Sequence, residues 1–127
     1  MRLRQVAQRA ENLDRAVEFY RDVLGAELLA RFDPPGLAFL DAGEVRVLLD
    51  AAAPSSLLYL EVNDVRTFVE KLRDRGVMIQ AEPHEIFDDT DGIFGETGQV
   101  EWMAFFRDSE GNTVGLISRH PAEDSSP

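Results

Sequence analysis

The sequence predicts an α+β fold of two βαβββ modules, with curved mixed sheets around a cleft and the helices on the outer face. The order of predicted elements repeats along the chain, and each half has an apolar stripe at helical spacing. The stripes begin at Leu13 and Val65, 52 residues apart. A chain of 127 residues has the usual size of one domain. We expect that domain at 1–118, with modules at 1–50 and 57–118 and a polar tail at 119–127.

The first module begins with a strand at residues 3–8 and a helix at residues 13–24. Asn12 can cap this helix because its side chain can accept a free backbone N–H of the first turn. Gly25 can end the helix in the left-handed conformation. Three more strands are expected at residues 26–32, 37–40 and 45–49, because turns rich in Asp, Pro and Gly separate them.

The second module repeats this order. We expect a strand at residues 57–62, Asn63 as the helix cap, and Gly76 as the end of the helix. The remaining strands are expected at residues 77–80, 101–107 and 112–118. The segment 81–99 is predicted to be a long loop, and such loops are often lids or binding loops. Its apolar residues would cover the cleft or contact a second subunit.

The composition excludes some classes of function. The chain has 24 acidic and 13 basic side chains, which give a formal net charge of −11. This charge repels phosphate backbones and anionic membranes, so we expect neither nucleic acid nor membrane as a partner. There is no cysteine, and the sequence shows no signal peptide and no membrane-spanning stretch. We therefore expect a cytoplasmic protein.

Two segments resemble a known superfamily. Residues 12–25 read Asn-Leu-Asp-Arg-Ala-Val-Glu-Phe-Tyr-Arg-Asp-Val-Leu-Gly, and residues 106–112 read Phe-Arg-Asp-Ser-Glu-Gly-Asn. They resemble a helix and a turn of the vicinal-oxygen-chelate superfamily, which includes glyoxalase I, bleomycin-resistance proteins and extradiol dioxygenases. Asn12, Ser109 and Glu110 depart from the usual aspartate, proline and aspartate. The resemblance, over residues 3–118, implies the fold and a homodimer, but it does not define a reaction.

The resemblance also implies four positions for metal ligands, two in each half. In this sequence they are Gln5, Leu57, Gly115 and either Val47 or Leu48. Only Gln5 has a side chain that could coordinate an ion, whereas a divalent ion needs several converging donors. We therefore expect no metal and no cofactor, and without a metal the usual glyoxalase and dioxygenase chemistries are lost.

Candidate ligand-binding residues follow from strand alternation and from the resemblance. Arg9 lies four residues after Gln5, and the resemblance to glyoxalase I implies that this arginine contacts a carboxylate. Each candidate also has a purely structural interpretation, such as a solvated arginine or a core tryptophan. Glu61 and His84 are the candidate catalytic residues. The predicted ligand-binding set is Gln5, Arg9, Tyr59, Glu61, His84 and Trp102.

We therefore expect a metal-independent protein that binds a small organic molecule, an anionic one if Arg9 takes part, as in the drug-sequestering branch of the family. One alternative is a metal-free enzyme that transfers a proton through Glu61 or His84. Another is a lyase, isomerase or dioxygenase in which His84 and Glu61 or Glu101 hold a displaced metal. The third is a structural or interaction module whose cleft is filled by Trp102 and phenylalanines.

Overall fold

The computed structural model describes residues 1–122, in which the chain divides into two compact units. The first unit comprises Met1–Leu57 and Asp108–Asn112, and the second comprises Leu58–Arg107 and residues 113–122. Each unit contains one four-stranded mixed sheet and one main helix, which confirms the predicted α+β fold of two βαβββ modules. Among the described residues, no helix has the length and apolarity needed to cross a membrane.

The first unit is built from four strands and one helical segment. The elements are β1 (Gln5–Arg9), α1 (Leu13–Glu18), a π-helix (Phe19–Val23), β2 (Glu27–Phe32), β3 (Leu37–Ala42) and β4 (Val45–Asp50). Helix α1 is capped as predicted, since the Asn12 side chain accepts the Arg15 N–H at 3.1 Å. The chain continues from α1 through the π-helix and leaves it at Gly25, whose φ of +79° is left-handed. The sheet order is β1-β4-β3-β2, with β1 parallel to β4.

The core of the first unit lies between α1 and one face of its sheet. Alternate strand residues are buried on this face, because successive side chains of a strand point to opposite sides. Each apolar side chain of this kind contributes roughly 1.5–3 kcal/mol when it leaves water. The buried residues include Val17 and Tyr20 of the helical segment and Ala38, Leu40, Val47 and Leu49 of the sheet.

The second unit repeats the arrangement. The elements are β5 (Leu58–Glu61), α2 (Val65–Asp74), β6 (Ile79–Asp89), β7 (Gln99–Arg107) and β8 (Thr113–Pro121), and the sheet order is β5-β8-β7-β6. Helix α2 is capped by Asp64, whose side chain accepts the Arg66 N–H at 2.9 Å, so the prediction of Asn63 as the cap is wrong by one residue. The buried stripe of the helix is Val65, Val69 and Leu72, as its spacing predicts.

The prediction of a loop at residues 81–99 is wrong for about half of the segment, which belongs to strands. Strand β6 continues to Asp89, and β7 already begins at Gln99. The pairing of β6 with β7 shifts register three times, and Pro83 lies within the second shift, between Ala81 and His84. Proline lacks an N–H and is tolerated in edge strands and at bulges, and β6 is an edge strand. These shifts remove the regular alternation by which a strand is recognised in sequence.

The polar tail also begins later than predicted. Strand β8 runs to Pro121, so Arg119 and His120 belong to the sheet of the second unit. Arg119 pairs with the buried Asp89, and His120 is 9% exposed, with Nε2 at 2.8 Å from the Ser118 hydroxyl. The sequence predicts a tail here because the residues are polar and the buried partner of Arg119 lies 30 residues away. Residues 123–127 of the predicted tail lie outside the described residues.

The turn Asp108–Asn112 packs in the first unit, where it meets the segment 12–25. The buried carboxylate of Asp108 accepts the Tyr20 hydroxyl at 2.7 Å. Glu110 accepts the backbone N–H of Asn12 and the guanidinium of Arg15, each at 2.7 Å. The two segments that resemble the superfamily therefore bind each other, which gives both a structural role.

Glu110 makes the stability of the protein sensitive to acid. Burial disfavours its ionised form, but hydrogen bonds from Arg15, the Asn12 N–H and Ser109 outweigh this and hold the pKa of Glu110 below its usual value. The unfolded chain therefore binds this proton at a higher pH than the native protein does. The stabilisation is present above the ordinary pKa and is lost as pH falls through the native one.

We expect the free energy of unfolding to fall between about pH 5 and pH 3, and to fall less steeply in Glu110→Gln. Urea unfolding across this range measures both slopes. Glu44→Gln is the matched control, because Glu44 is exposed in a turn. Equal slopes for Glu110→Gln and the parent protein would contradict the assignment.

Candidate functional site

The first sheet has one face turned away from α1, which we call the open face of the first sheet. On it, Gln5 lies beside Arg46, Ala7 beside Leu48 and Arg9 beside Asp50. This register resolves the uncertainty between Val47 and Leu48, because Val47 is buried on the α1 side and Leu48 belongs to the open face. The residues of this face are Gln5, Ala7, Arg9, Phe32, Leu37, Phe39, Asp41, Arg46, Leu48 and Asp50.

Arg46 is held in position on this face by two neighbours. Its Nε donates to Oε1 of Gln5 at 3.1 Å, and its guanidinium carbon lies 5.7 Å from the centroid of the Phe39 ring. Sequence reasoning missed this residue. The signal was present, because Arg46 lies two positions before Leu48 and so shares its face.

Arg9 lies at the opposite end of the same pair of strands. It is on the same face as Gln5, as the sequence predicts, and it is exposed. Among residues 1–122 its guanidinium has no hydrogen-bonding or ion-pairing partner. A contact between Arg9 and a ligand carboxylate stays a prediction.

The second sheet also has one face turned away from its helix, which we call the open face of the second sheet. Tyr59 and Glu61 lie on it, with Tyr59 beside Gly115 and Glu61 beside Ile117. The pairing corresponds to that in the first unit, with Tyr59 in the place of Ala7 and Gly115 in the place of Leu48. Its residues include Tyr59, Glu61, Ala81, His84, Phe87, Glu101, Met103, Phe105, Gly115, Ile117 and Arg119.

The ring of Tyr59 covers Gly115. A Cβ added at Gly115 would lie 2.8 Å from Cδ2 of Tyr59 and 3.0 Å from Cε2 of Phe105. The Tyr59 and Phe105 rings meet edge to face at 5.9 Å between centroids, and Tyr59 is 48% exposed. The space that a longer side chain at residue 115 would need is therefore filled by aromatic rings.

The candidate catalytic residues Glu61 and His84 share this face but are not neighbours. Strand β5 carries Glu61 and strand β6 carries His84, at opposite edges of the sheet. With strands about 4.8 Å apart, three strand spacings put them roughly 14 Å apart. His84 Nδ1 lies 2.7 Å from the carbonyl oxygen of Glu82 and therefore donates to it. The two residues do not form an acid–base pair.

Trp102 lies on the other face of the second sheet. It pairs with Ser118 on the α2 side, and the guanidinium of Arg66 lies over its ring at 4.8 Å from the centroid. The ring also contacts His120 edge to face. Trp102, one of the predicted ligand-binding residues, therefore lies on the face opposite to Tyr59. It does not fill the open face, as the structural-module alternative requires. Strand register, which a sequence alone does not define, determines this side.

The Glu101 side chain belongs to a buried ionic cluster. Arg119 donates to Glu101 and, at 2.9 Å, to Asp89, whose carboxylate is fully buried. Asp89 also accepts the backbone N–H groups of Ile93 and Phe94. Burial disfavours its charge, but these donors and Arg119 hold the pKa of Asp89 below its usual value. The cluster orders the turn that follows β6.

The positions that would hold the superfamily's metal do not fit one in this chain. Oε1 of Gln5 accepts a hydrogen bond from a guanidinium, and the side chains of Leu48 and Gly115 supply no lone pairs. Within residues 1–122, no three His, Cys, Asp or Glu side chains converge as ligands of an ion. Glu61, Glu101 and His84 are not brought together as a displaced metal site requires.

Comparisons with known proteins agree with this fold. No protein among those of curated function matches the chain. A lactoylglutathione lyase from Agrobacterium tumefaciens is 22% identical, with a TM-score of 0.64 over 92% of each chain. TnmS3, an antibiotic binding protein from Streptomyces sp. CB03234, is 22% identical, with a TM-score of 0.67 over 94% of this chain and 97% of its own. UcmS2 is 23% identical, with a TM-score of 0.71 over 92% of this chain and 97% of its own.

These likenesses establish the fold. The model of the Glyoxalase/Bleomycin resistance protein/Dioxygenase superfamily matches residues 2–116, nearly the whole length. The resemblance inferred from the segments 12–25 and 106–112 is thereby confirmed, and the chain belongs to the Glyoxalase/Bleomycin resistance protein/Dioxygenase superfamily.

Proposed function

We propose that this protein binds a small organic molecule on the open faces of its sheets without a metal ion. The observation that carries the proposal is the replacement of metal ligands by apolar groups. Leu48 stands at one position, and at the other the ring of Tyr59 covers Gly115. Such surfaces can hold an apolar ligand body, while a few polar groups orient it.

The open faces have the composition of a binding surface. Phe32, Phe39 and Leu48 supply apolar area on the first sheet, and Tyr59 and Phe105 supply aromatic rings on the second. Gln5, Arg9 and Glu61 add polar groups, and their contact with a ligand stays a prediction, as does the cleft. TnmS3, one of the structural neighbours, is described as an antibiotic binding protein, which supports the binding of an organic molecule by a protein of this fold.

The proposal is tested by metal content and by dye binding. We expect the purified protein to hold far less than one equivalent of metal after incubation with Ni, Zn, Mn and Fe(II) and desalting. We also expect saturable fluorescence enhancement of the uncharged dye phenylnaphthylamine, at the stoichiometry of a defined site. Stoichiometric metal that survives desalting would contradict the proposal and favour a lyase, isomerase or dioxygenase of this superfamily.

We further propose a homodimer in solution. The proposal comes from the resemblance to the superfamily, and light scattering at several protein concentrations measures the mass directly. A mass of one chain at all concentrations would overturn it. The same samples give the stoichiometry of dye per chain, so the number of binding sites is obtained independently of the assembly.

A further inference from the structure

We infer that Arg46 is the anion-recognition residue of this protein, and that its ligand is an aromatic or otherwise apolar organic anion. The inference rests on the proposed function and narrows it to one chemical class. The contact of Arg9 with a ligand carboxylate stays a separate prediction. The anion would be a carboxylate or sulfonate that the guanidinium binds on the open face of the first sheet.

The hydrogen bond that Arg46 donates to Gln5 orients the guanidinium without neutralising its charge. Gln5 is neutral and accepts only from Nε, at 3.1 Å, so both terminal nitrogens of the guanidinium remain as a fork of donors. The Phe39 ring restricts the guanidinium plane from a second direction. A fork fixed in this way loses less side-chain entropy when it binds a carboxylate than a free arginine does.

Among residues 1–122, Arg46 and Arg9 both lack a counter-ion, and the contacts with Gln5 and Phe39 distinguish Arg46 from Arg9. Arginines elsewhere, such as Arg15, Arg73 and Arg119, contact carboxylates directly. Arg46 has no carboxylate within ion-pairing distance among residues 1–122. Asp41 is its neighbour on β3, but Oδ1 of that side chain accepts the Gly43 N–H of the adjoining turn. A positive charge is thus left available in a protein of net charge −11.

The surroundings of Arg46 suit an anion with an apolar body. Leu48 follows Arg46 on the same face of β4, and Phe39 lies beside Leu48 on β3. Phe32 meets the Phe39 ring edge to face at 5.9 Å. Arg9 is about 13 Å further along the strands, where no side chain among residues 1–122 orients its guanidinium. The end of the face at Arg46 therefore combines an oriented cation with continuous apolar surface.

Two dyes with the same ring system separate this inference from the proposed function. Anilinonaphthalenesulfonate carries a sulfonate, and phenylnaphthylamine lacks it. We expect Arg46→Gln to raise the Kd of the sulfonated dye about tenfold, because one charge-assisted contact is lost, and to leave the Kd of the uncharged dye unchanged. Gln5→Leu keeps the charge of Arg46 but removes the hydrogen bond that orients its guanidinium. We therefore expect a smaller loss of affinity, and only for the sulfonated dye.

Arg21→Gln is the matched control, since Arg21 is an exposed arginine of the helical segment that pairs with Asp22. Thermal unfolding of each variant shows that the fold is retained. If both dyes bind and Arg46→Gln affects the sulfonated one no more than Arg21→Gln does, the inference is overturned and the proposed function stands. If neither dye binds the parent protein, the proposed function fails and the inference fails with it.

Discussion

Replacing Asp108 by alanine is expected to lower the free energy of unfolding by about 3 kcal/mol. The Asp108 carboxylate is buried and accepts the Tyr20 hydroxyl, the backbone N–H groups of Glu110 and Asn112, and the Asn112 side-chain amide. Alanine leaves these donors without their acceptor in a place that water reaches poorly. An unsatisfied buried donor costs its full desolvation free energy, which exceeds the net value of the hydrogen bond itself.

The internal repeat supplies a matched control for this variant. Asp41 lies near the turn between β3 and β4, as Asp108 lies near the turn between β7 and β8, but Asp41 is exposed and accepts one backbone N–H. Urea unfolding is expected to show a far smaller loss for Asp41→Ala. Tyr20→Phe, which removes one donor, should cost about 1 kcal/mol. Equal losses for Asp41→Ala and Asp108→Ala would show that the network contributes nothing beyond an ordinary turn.

Local signals in the sequence predict the parts of this fold that depend on neighbouring residues. Asn12 caps α1 because a cap needs only an acceptor placed before the first turn. Gly25 and Gly76 leave their helices with positive φ, which glycine adopts without a Cβ clash. The stripes of α1 and α2 follow from helical periodicity, and the constant spacing between them predicts the repeat. These features predict the fold class that the sheet topology confirms.

Features that depend on distant partners were not predictable. The resemblance of Asp108 to a family turn does not show that it accepts the Tyr20 hydroxyl, 88 residues away. The sequence places Arg119 in a tail, because its partner Asp89 lies in a segment that is predicted to be a loop. The face of Trp102 depends on the register between β7 and β8, since a shift of one residue would turn it to the other side. The importance of Arg46 depends on which residue of β1 lies beside it.

The sequence predicts the absence of a metal ligand at residue 115, but it does not predict what occupies that position. The resemblance to the superfamily implies that Gly115 stands at a ligand position, and glycine has no side chain that could coordinate an ion. It does not reveal what occupies the space that the missing side chain leaves. The structure shows the Tyr59 ring there, in edge-to-face contact with Phe105. The metal position in this half is thus filled by an aromatic group, so restoring a carboxylate alone would not recreate the site.

Replacing Gly115 by glutamate tests this conclusion, and we expect the free energy of unfolding to fall by about 2 kcal/mol. The first carbon of the new side chain would already lie 2.8 Å from the Tyr59 ring, so the penalty should appear with Gly115→Ala and grow little in Gly115→Glu. We expect no gain in bound Ni or Zn, because Leu48 still offers no lone pair to a metal.

Tyr59→Ala provides the second arm of a double-mutant cycle. Alone it should cost about 1 kcal/mol, the value of one edge-to-face aromatic pair and some apolar area. Combined with Gly115→Glu it should cost less than the sum, because the ring that the glutamate strikes is gone. Additive losses would mean that the ring moves aside freely and that Gly115 is vacant for some other reason. A loss smaller than the sum, together with unchanged metal content, would instead show that the Tyr59 ring occupies the space of a metal ligand. This is the arrangement expected of a protein that binds organic molecules without a metal.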